Sequence, residues 1–158
     1  MRIGNKEYKL GERTYIMGIL NVTPDSFSDG GKFNEIEAAV SQAKKLVEDG
    51  ADIIDVGGES TRAGAEYVTE EEEIKRVVPI IKAIKKELDV TISIDTYKSK
   101  TAEEAIKAGA DIINDIWGAK YDKNIAKVAA KYNVPIILMH NREAKPYENL
   151  MEDVINDL

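Results

Sequence analysis

The hexapeptide Gly50-Ala51-Asp52-Ile53-Ile54-Asp55 returns almost unchanged as Gly109-Ala110-Asp111-Ile112-Ile113-Asn114. In each copy a glycine suited to the left-handed end of a helix leads into an apolar, β-branched run that reads as a strand. Two strand–helix units separate the copies, and a repeating barrel produces such a recurrence because the same packing problem returns around the ring. A doubly wound sheet has similar junctions, so the echo narrows the fold to parallel α/β without choosing between the two.

Working outward, five strands are expected at Thr14 to Leu20, Asp52 to Gly57, Val90 to Asp95, Asp111 to Asp115 and Pro135 to His140, each followed by a loop and helical sequence. Residues 2–9 precede them as a small extra strand or a hairpin turning at Asn5. Helix starts are marked by Thr69 with Glu72 and by Thr101 with Glu104, both at capping-box spacing. Gly50 and Gly109 mark helix stops. Between these signals run two apolar stripes, Ala38-Ala39-Ala43-Leu46-Val47 and Ile74-Val77-Val78-Ile81-Ile84-Leu88, each giving a helix one face for a sheet.

Composition sets the class. With 43% apolar and 32% charged residues among 158, the chain reads as one domain able to bury a core. No apolar run approaches the roughly 20 residues of a membrane span, and Met1-Arg2 leads into polar Gly4-Asn5-Lys6-Glu7 rather than a signal sequence. A cytoplasmic protein is expected. The absence of cysteine excludes disulfides, thiolate metal sites and a cysteine nucleophile, leaving carboxylates, amides, hydroxyls and basic groups. A net charge of −7 without any basic, aromatic-interleaved stretch argues against nucleic acid as a partner.

The residues capable of chemistry gather at the carboxyl ends of the expected strands. Asn21 and Asp25 follow the first, Glu59, Thr61 and Arg62 the second; Asp95 ends the third, Asn114 and Asp115 the fourth, and His140 the fifth. Any one of them alone reads as a strand-end cap. Together they occupy the edge where ligands bind in barrels and open α/β sheets alike. Two loops on that edge, residues 21–31 and 57–64, are long and polar enough to close over a substrate.

At these residues the chain resembles a known family. Met17-Gly18-Ile19-Leu20-Asn21-Val22-Thr23-Pro24-Asp25-Ser26-Phe27-Ser28-Asp29-Gly30-Gly31 is similar to the first signature of dihydropteroate synthases, and Gly57-Gly58-Glu59-Ser60-Thr61-Arg62 to the second. Ser93-Ile94-Asp95-Thr96, Ile113-Asn114-Asp115-Ile116 and Leu138-Met139-His140 resemble the family's third, fourth and fifth strand ends, in the family's order. The resemblance implies a TIM-type (β/α)8 barrel, here truncated to about its first five strand–helix units. One departure is Ala63, where the family usually has proline; it bears on the stiffness of the second loop and on sulfonamide response.

The implied reaction joins p-aminobenzoate to 6-hydroxymethyl-7,8-dihydropterin diphosphate with release of pyrophosphate. By the resemblance, Asp95 and Asn114 hold the pterin ring, with Arg62 completing the catalytic set. Ile116 and Met139 would pack on the ring, ordinary barrel core being the alternative for both. Thr61 and Arg62 would meet the diphosphate or the aminobenzoate, and Asp25, Phe27, Ser28 and Asp29 would close the first loop. Asn21 is implied to hold Mg²⁺ together with the substrate diphosphate. His140 reads as structural, its ring satisfied by a neighbouring loop, and Glu70 to Glu73 as a solvated first helical turn.

A complete barrel has eight units in roughly 250 residues. The family's second pterin aspartate, its strand-seven lysine and its terminal arginine–histidine pair fall beyond these five units. The expectation is therefore a truncated or naturally shortened chain with little or no synthase activity alone, with a pterin-dependent methyltransferase or a non-catalytic pterin-binding or self-assembling half-barrel as alternatives. Open edges on the first and fifth strands would favour self-association, most simply as a dimer.

Overall fold

Arg2–Ile3 (β1) and Lys6–Glu7 (β2) pair antiparallel around Gly4-Asn5, giving the hairpin expected at residues 2–9. The computed structural model describes residues 1–23, 31–60, 66–142 and 146–158, the side chains of 31–33 excepted. After the hairpin, strands and helices alternate: Met17–Asn21 (β3), Gly31–Glu48 (α1), Ile53–Gly57 (β4), Glu70–Glu87 (α2), Thr91–Asp95 (β5), Ser99–Ala108 (α3), Ile112–Asp115 (β6), Asn124–Tyr132 (α4), Ile136–Leu138 (β7) and Leu150–Asp157 (α5).

The long strands form one parallel sheet in the order β3-β4-β5-β6-β7. One face carries Leu20, Ile54, Val56, Ile92, Ile94 and Ile113, all buried in a single cluster with Ala39, Ala43, Val77, Ile81, Ala102, Ala105, Ile125 and Val128 of α1 to α4. A strand order that never reverses, with successive helices on one face, is the winding of a barrel wall; a doubly wound sheet reverses its order midway. The choice left open by the echo is settled in favour of the barrel.

The echo also acquires a physical cause. Asp52 donates its N–H to the Ile16 carbonyl at 2.8 Å, and its Oδ2 accepts the Ile16 N–H at 2.9 Å. Asp111 repeats the arrangement on Ile92, at 2.7 and 2.9 Å. Each aspartate thus ties the incoming strand to its predecessor just ahead of the ladder, and each is balanced by a cation, Arg13 on Asp52 and Lys85 on Asp111. Both tasks need a short acid immediately before the apolar run, so the same sequence recurs.

Two helix starts differ from each other. Thr69 caps α2 as expected, its Oγ1 accepting the Glu72 N–H at 3.3 Å. Thr101 caps nothing: α3 begins at Ser99, whose N–H is met by Asp122 Oδ2 at 3.0 Å, while Thr101 is buried and donates to Glu73. A loop residue distant in sequence had taken over the cap.

On the helix-free face, the hairpin seals the amino end of the sheet. Ile3 and Tyr8 pack there on Ile53 and Ile112, with Tyr15 and Met17 beside them, and the Tyr8 hydroxyl donates to Thr91 Oγ1 at 2.7 Å. The edge strands are uncovered on that face, since Ile19 of β3 is 64% exposed and Ile137 of β7 is 40% exposed. The carboxyl end of the same face is left for the site.

Candidate functional site

In a parallel sheet, residues in register project to the same side on neighbouring strands. The last row on the helix-free face runs Asn21, Gly57, Asp95, Asn114 and Ile137, in register from β3 to β7. Asp95 and Asn114 are direct partners in it. Gly57 lies between Asn21 and Asp95, and a Cβ at that glycine would stand 3.6 Å from Asn21 Oδ1 and 3.4 Å from Asp95 Oδ2. An exposed amide, a half-buried carboxyl and a half-buried amide therefore share one rim, with a gap at the glycine.

The row beneath contains Asp55, in register with Ser93. Asp55 is 4% exposed, and its Oδ2 accepts the Asn114 Nδ2–H at 3.0 Å. Burial and the surrounding acids Asp55, Glu73, Asp115 and Glu59 push the Asp95 carboxyl up to about 7. At neutral pH Asp95 thus stands between its two protonation states, ready to be fixed as a carboxylate by ring N–H donors or a cation.

Behind the rim lies a group that sequence reasoning missed. Lys98, 2% exposed, donates to Glu73 at 2.9 Å, to the Val68 carbonyl at 2.7 Å and to Glu59. Glu59 also accepts the Val68 N–H at 3.2 Å and the Tyr97 hydroxyl at 3.0 Å. Burial opposes a charge on Lys98, but Glu59 and Glu73 hold its ammonium above the ordinary lysine range. Glu73, expected to be solvated, is 1% exposed because α2 turns it inward toward Lys98. Only its neighbours Glu70, Glu71 and Glu72 fit the solvated reading. No spacing rule marks Lys98, which follows the strand end among polar residues.

Other expected residues fall elsewhere. Asp115 is fully buried and turns the chain beyond β6, accepting the N–H groups of Trp117 and Ala119 at 2.8 Å each. His140 is structural as expected, though its Nε2 meets Asp157 of α5 at 2.7 Å rather than a loop. Ile116 is half-buried just past Asn114, and Met139 is 45% exposed beyond β7. Asp25, Phe27, Ser28, Asp29, Thr61 and Arg62, with Ala63, lie outside the described residues.

Among the described residues, no group of three histidine or acidic side chains could hold a metal. Asn21 Oδ1 is a hard oxygen donor on the rim, of the kind Mg²⁺ accepts when phosphate and water oxygens complete its shell. The described donors fit an ion brought with a diphosphate.

The sequence matches the family of pterin binding enzymes over residues 17–158. The chain belongs to that family. The chain is 70% identical over 158 residues to the dihydropteroate synthase of Clostridium beijerinckii, covering 100% of the chain and 59% of the relative. Over 147 residues it is 61% identical to the dihydropteroate synthase of Bacillus subtilis, covering 93% and 52% of the two. The crystal structure of dihydropteroate synthase from Clostridium difficile in the presence of pteroic acid superposes with a TM-score of 0.92 at 54% identity, over 96% of this chain and 58% of that one. A Yersinia pestis dihydropteroate synthase with a sulfonamide drug superposes at 0.87 and 40% identity, over 99% and 58%. The chain therefore spans a little more than half the length of these relatives. No helix among the described residues is long and apolar enough to cross a membrane.

Proposed function

We propose that these 158 residues form the pterin-holding side of a dihydropteroate synthase, which joins 6-hydroxymethyl-7,8-dihydropterin diphosphate to p-aminobenzoate and releases pyrophosphate. The observation that carries the reading is the register of Asp95 with Asn114 beside the gap at Gly57. A flat heterocycle with N–H and C=O groups on one edge needs an acceptor and a two-way amide side by side, and this pair supplies them.

The chemistry required is stabilisation of separating charge. The aminobenzoate nitrogen attacks the pterin methylene as the C–O bond to the diphosphate breaks, the bond pair leaving with pyrophosphate and the amine proton passing to solvent. Positive charge grows on the pterin side, where an ionised Asp95 favours it; negative charge grows on the leaving group. Bound through Asn21 and the diphosphate, Mg²⁺ would supply neutralising charge at that leaving group. Arg62 and Thr61, and Asp25, Phe27, Ser28 and Asp29 of the first loop, are proposed to surround the diphosphate and aminobenzoate. Catalysis in full calls on groups from the remaining strands of an eight-stranded barrel, so these residues alone bind the pterin and turn over slowly or not at all.

Calorimetric titration with the pterin diphosphate, with and without Mg²⁺, followed by a pyrophosphate-release assay with p-aminobenzoate, tests this. Binding that Asp95→Asn weakens at least tenfold, and whose Mg²⁺ dependence disappears in Asn21→Ala, is expected. A folded chain that ignores the pterin diphosphate would refute the reading.

A further inference from the structure

Asp55 is the anomaly of the helix-free face. It is 4% exposed, one of its oxygens is bonded to Asn114, and the other, Oδ1, has no hydrogen-bond partner among the described residues. Ser93 Oγ, in register with Asp55 on β5 and fully buried, is the hydroxyl beside it, without a well-formed bond between the two. Buried carboxyl oxygens are nearly always satisfied, and leaving one unmet is costly for the fold.

Its one bond has an unusual path. Asp55 stands on β4 and Asn114 on β6, with β5 between them, so the 3.0 Å contact passes over the side chain of Ser93. Only a small residue at 93 leaves that space. In that contact Asp55 Oδ2 accepts, so the end of the Asn114 amide that faces Asp55 is its nitrogen. The amide oxygen is thereby turned to the rim beside Asp95.

We propose that Asp55 is a positioning residue: by holding the Asn114 amide nitrogen across β5, it dictates which donor and acceptor pattern Asn114 offers to the pterin. The assignment rests on the pterin reading above. Without Asp55 the amide rotates freely between two patterns, of which one matches the ring edge. With it, the matching pattern is set before the ligand arrives, and no binding energy is lost in ordering it.

The test uses the 158-residue chain with Asp55→Ala and Asp55→Asn, read in three ways. Nuclear magnetic resonance follows the Asn114 side-chain NH₂ group, calorimetry follows the pterin diphosphate, and urea denaturation follows stability. In the unsubstituted chain one Asn114 N–H proton is expected to be protected from exchange and well separated from its twin; Asp55→Ala removes both properties. Pterin affinity falls about tenfold in Asp55→Ala, the worth of one ordinary hydrogen bond, and less in Asp55→Asn, whose amide oxygen still accepts. The urea midpoint does not fall in either. Unchanged Asn114 signals in Asp55→Ala, or undiminished affinity, would overturn the proposal. Should the unsubstituted chain bind no pterin, the functional reading fails, and the Asn114 signals alone decide whether Asp55 orients the amide.

Discussion

Lys98 Nζ lies 2.9 Å from Glu73 Oε2, with 2% and 1% of the two side chains exposed. The same ammonium reaches Glu59 and the Val68 carbonyl, so the first turn of α2, the end of β4 and the approach to α3 meet at one cation. Removing one partner of a buried ion pair strands the other charge. Lys98→Met is therefore expected to destabilise the chain by ~3 kcal/mol, seen as a lower urea midpoint, and adding Glu73→Gln should recover part of the loss. A midpoint within error of the unsubstituted chain would show that the cluster adds nothing to the fold.

The raised carboxyl of Asp95 makes stability depend on pH. Its folded-state value is about 7 against an ordinary 3.8, so between those limits the folded chain holds a proton that the unfolded chain has lost. The contribution of Asp95 is full below about pH 4 and is lost as pH rises toward 7. Asp55 and Glu73, also raised by burial, act in the same direction, so the difference between variants is the useful quantity. Asp95→Asn should be more stable than the unsubstituted chain by ~2 kcal/mol at pH 8 and match it at pH 4; parallel stability curves would contradict the assignment.

Two adjacent glycines should behave differently. A Cβ at Gly58 would meet Val77 Cγ1 at 2.8 Å and Glu73 Cγ at 3.0 Å, so Gly58→Ala pushes α2 off the strand end and should cost ~1–3 kcal/mol. At Gly57 the nearest atoms are the rim oxygens, at 3.4 Å and beyond. Gly57→Ala should leave thermal unfolding nearly unchanged while weakening pterin binding about tenfold, the cost of a methyl in the gap where the ring edge rests. Equal effects on stability would remove the distinction.

Helix α5 has no buried residue, and ion pairs reach it from Lys120, His140 and Arg142 in the loops beyond β6 and β7. Arg142 and His140 both bond Asp157, holding its carboxyl down to about 2, with Arg142 the larger cause. A depressed acid contributes stability above about pH 4, and that contribution is lost as pH falls toward 2. Asp157→Asn should therefore speed amide hydrogen exchange across residues 150–157 without altering exchange in β3 to β6. Uniform protection in the variant would count against an ionic tether.

Much of the fold was legible because the signals were local. Alternating Thr91-Ile92-Ser93-Ile94-Asp95 named both the strand and its rim acid, and Gly109 closed α3 in the left-handed conformation where a stop was expected. Strand ends were legible only to within three residues: Thr14 to Ile16 precedes the paired ladder, and β7, an edge strand, pairs only from Ile136. What local pattern cannot carry is partnership between distant segments. Thr101 had capping spacing and became a buried donor because Glu73 and Asp122 reached it and its neighbour from elsewhere. Asp55 looked like one more polar residue in an apolar run; its meaning depends on Asn114, 59 residues away. The rim was readable, whereas the groups that orient the rim were not.

The paired aspartates have a consequence for how such a chain is assembled. Asp52 seals β3-α1-β4 at its amino end and Asp111 does the same for β5-α3-β6, so each of these βαβ pieces carries the determinant of its own register. Copying one such piece together with the helix that follows it would lengthen the wall by two strands, since parallel neighbours need a crossover between them. A break inside α1 or α3 separates an anchor from the strand it steadies, whereas one in the connection from β4 to α2 leaves both modules whole.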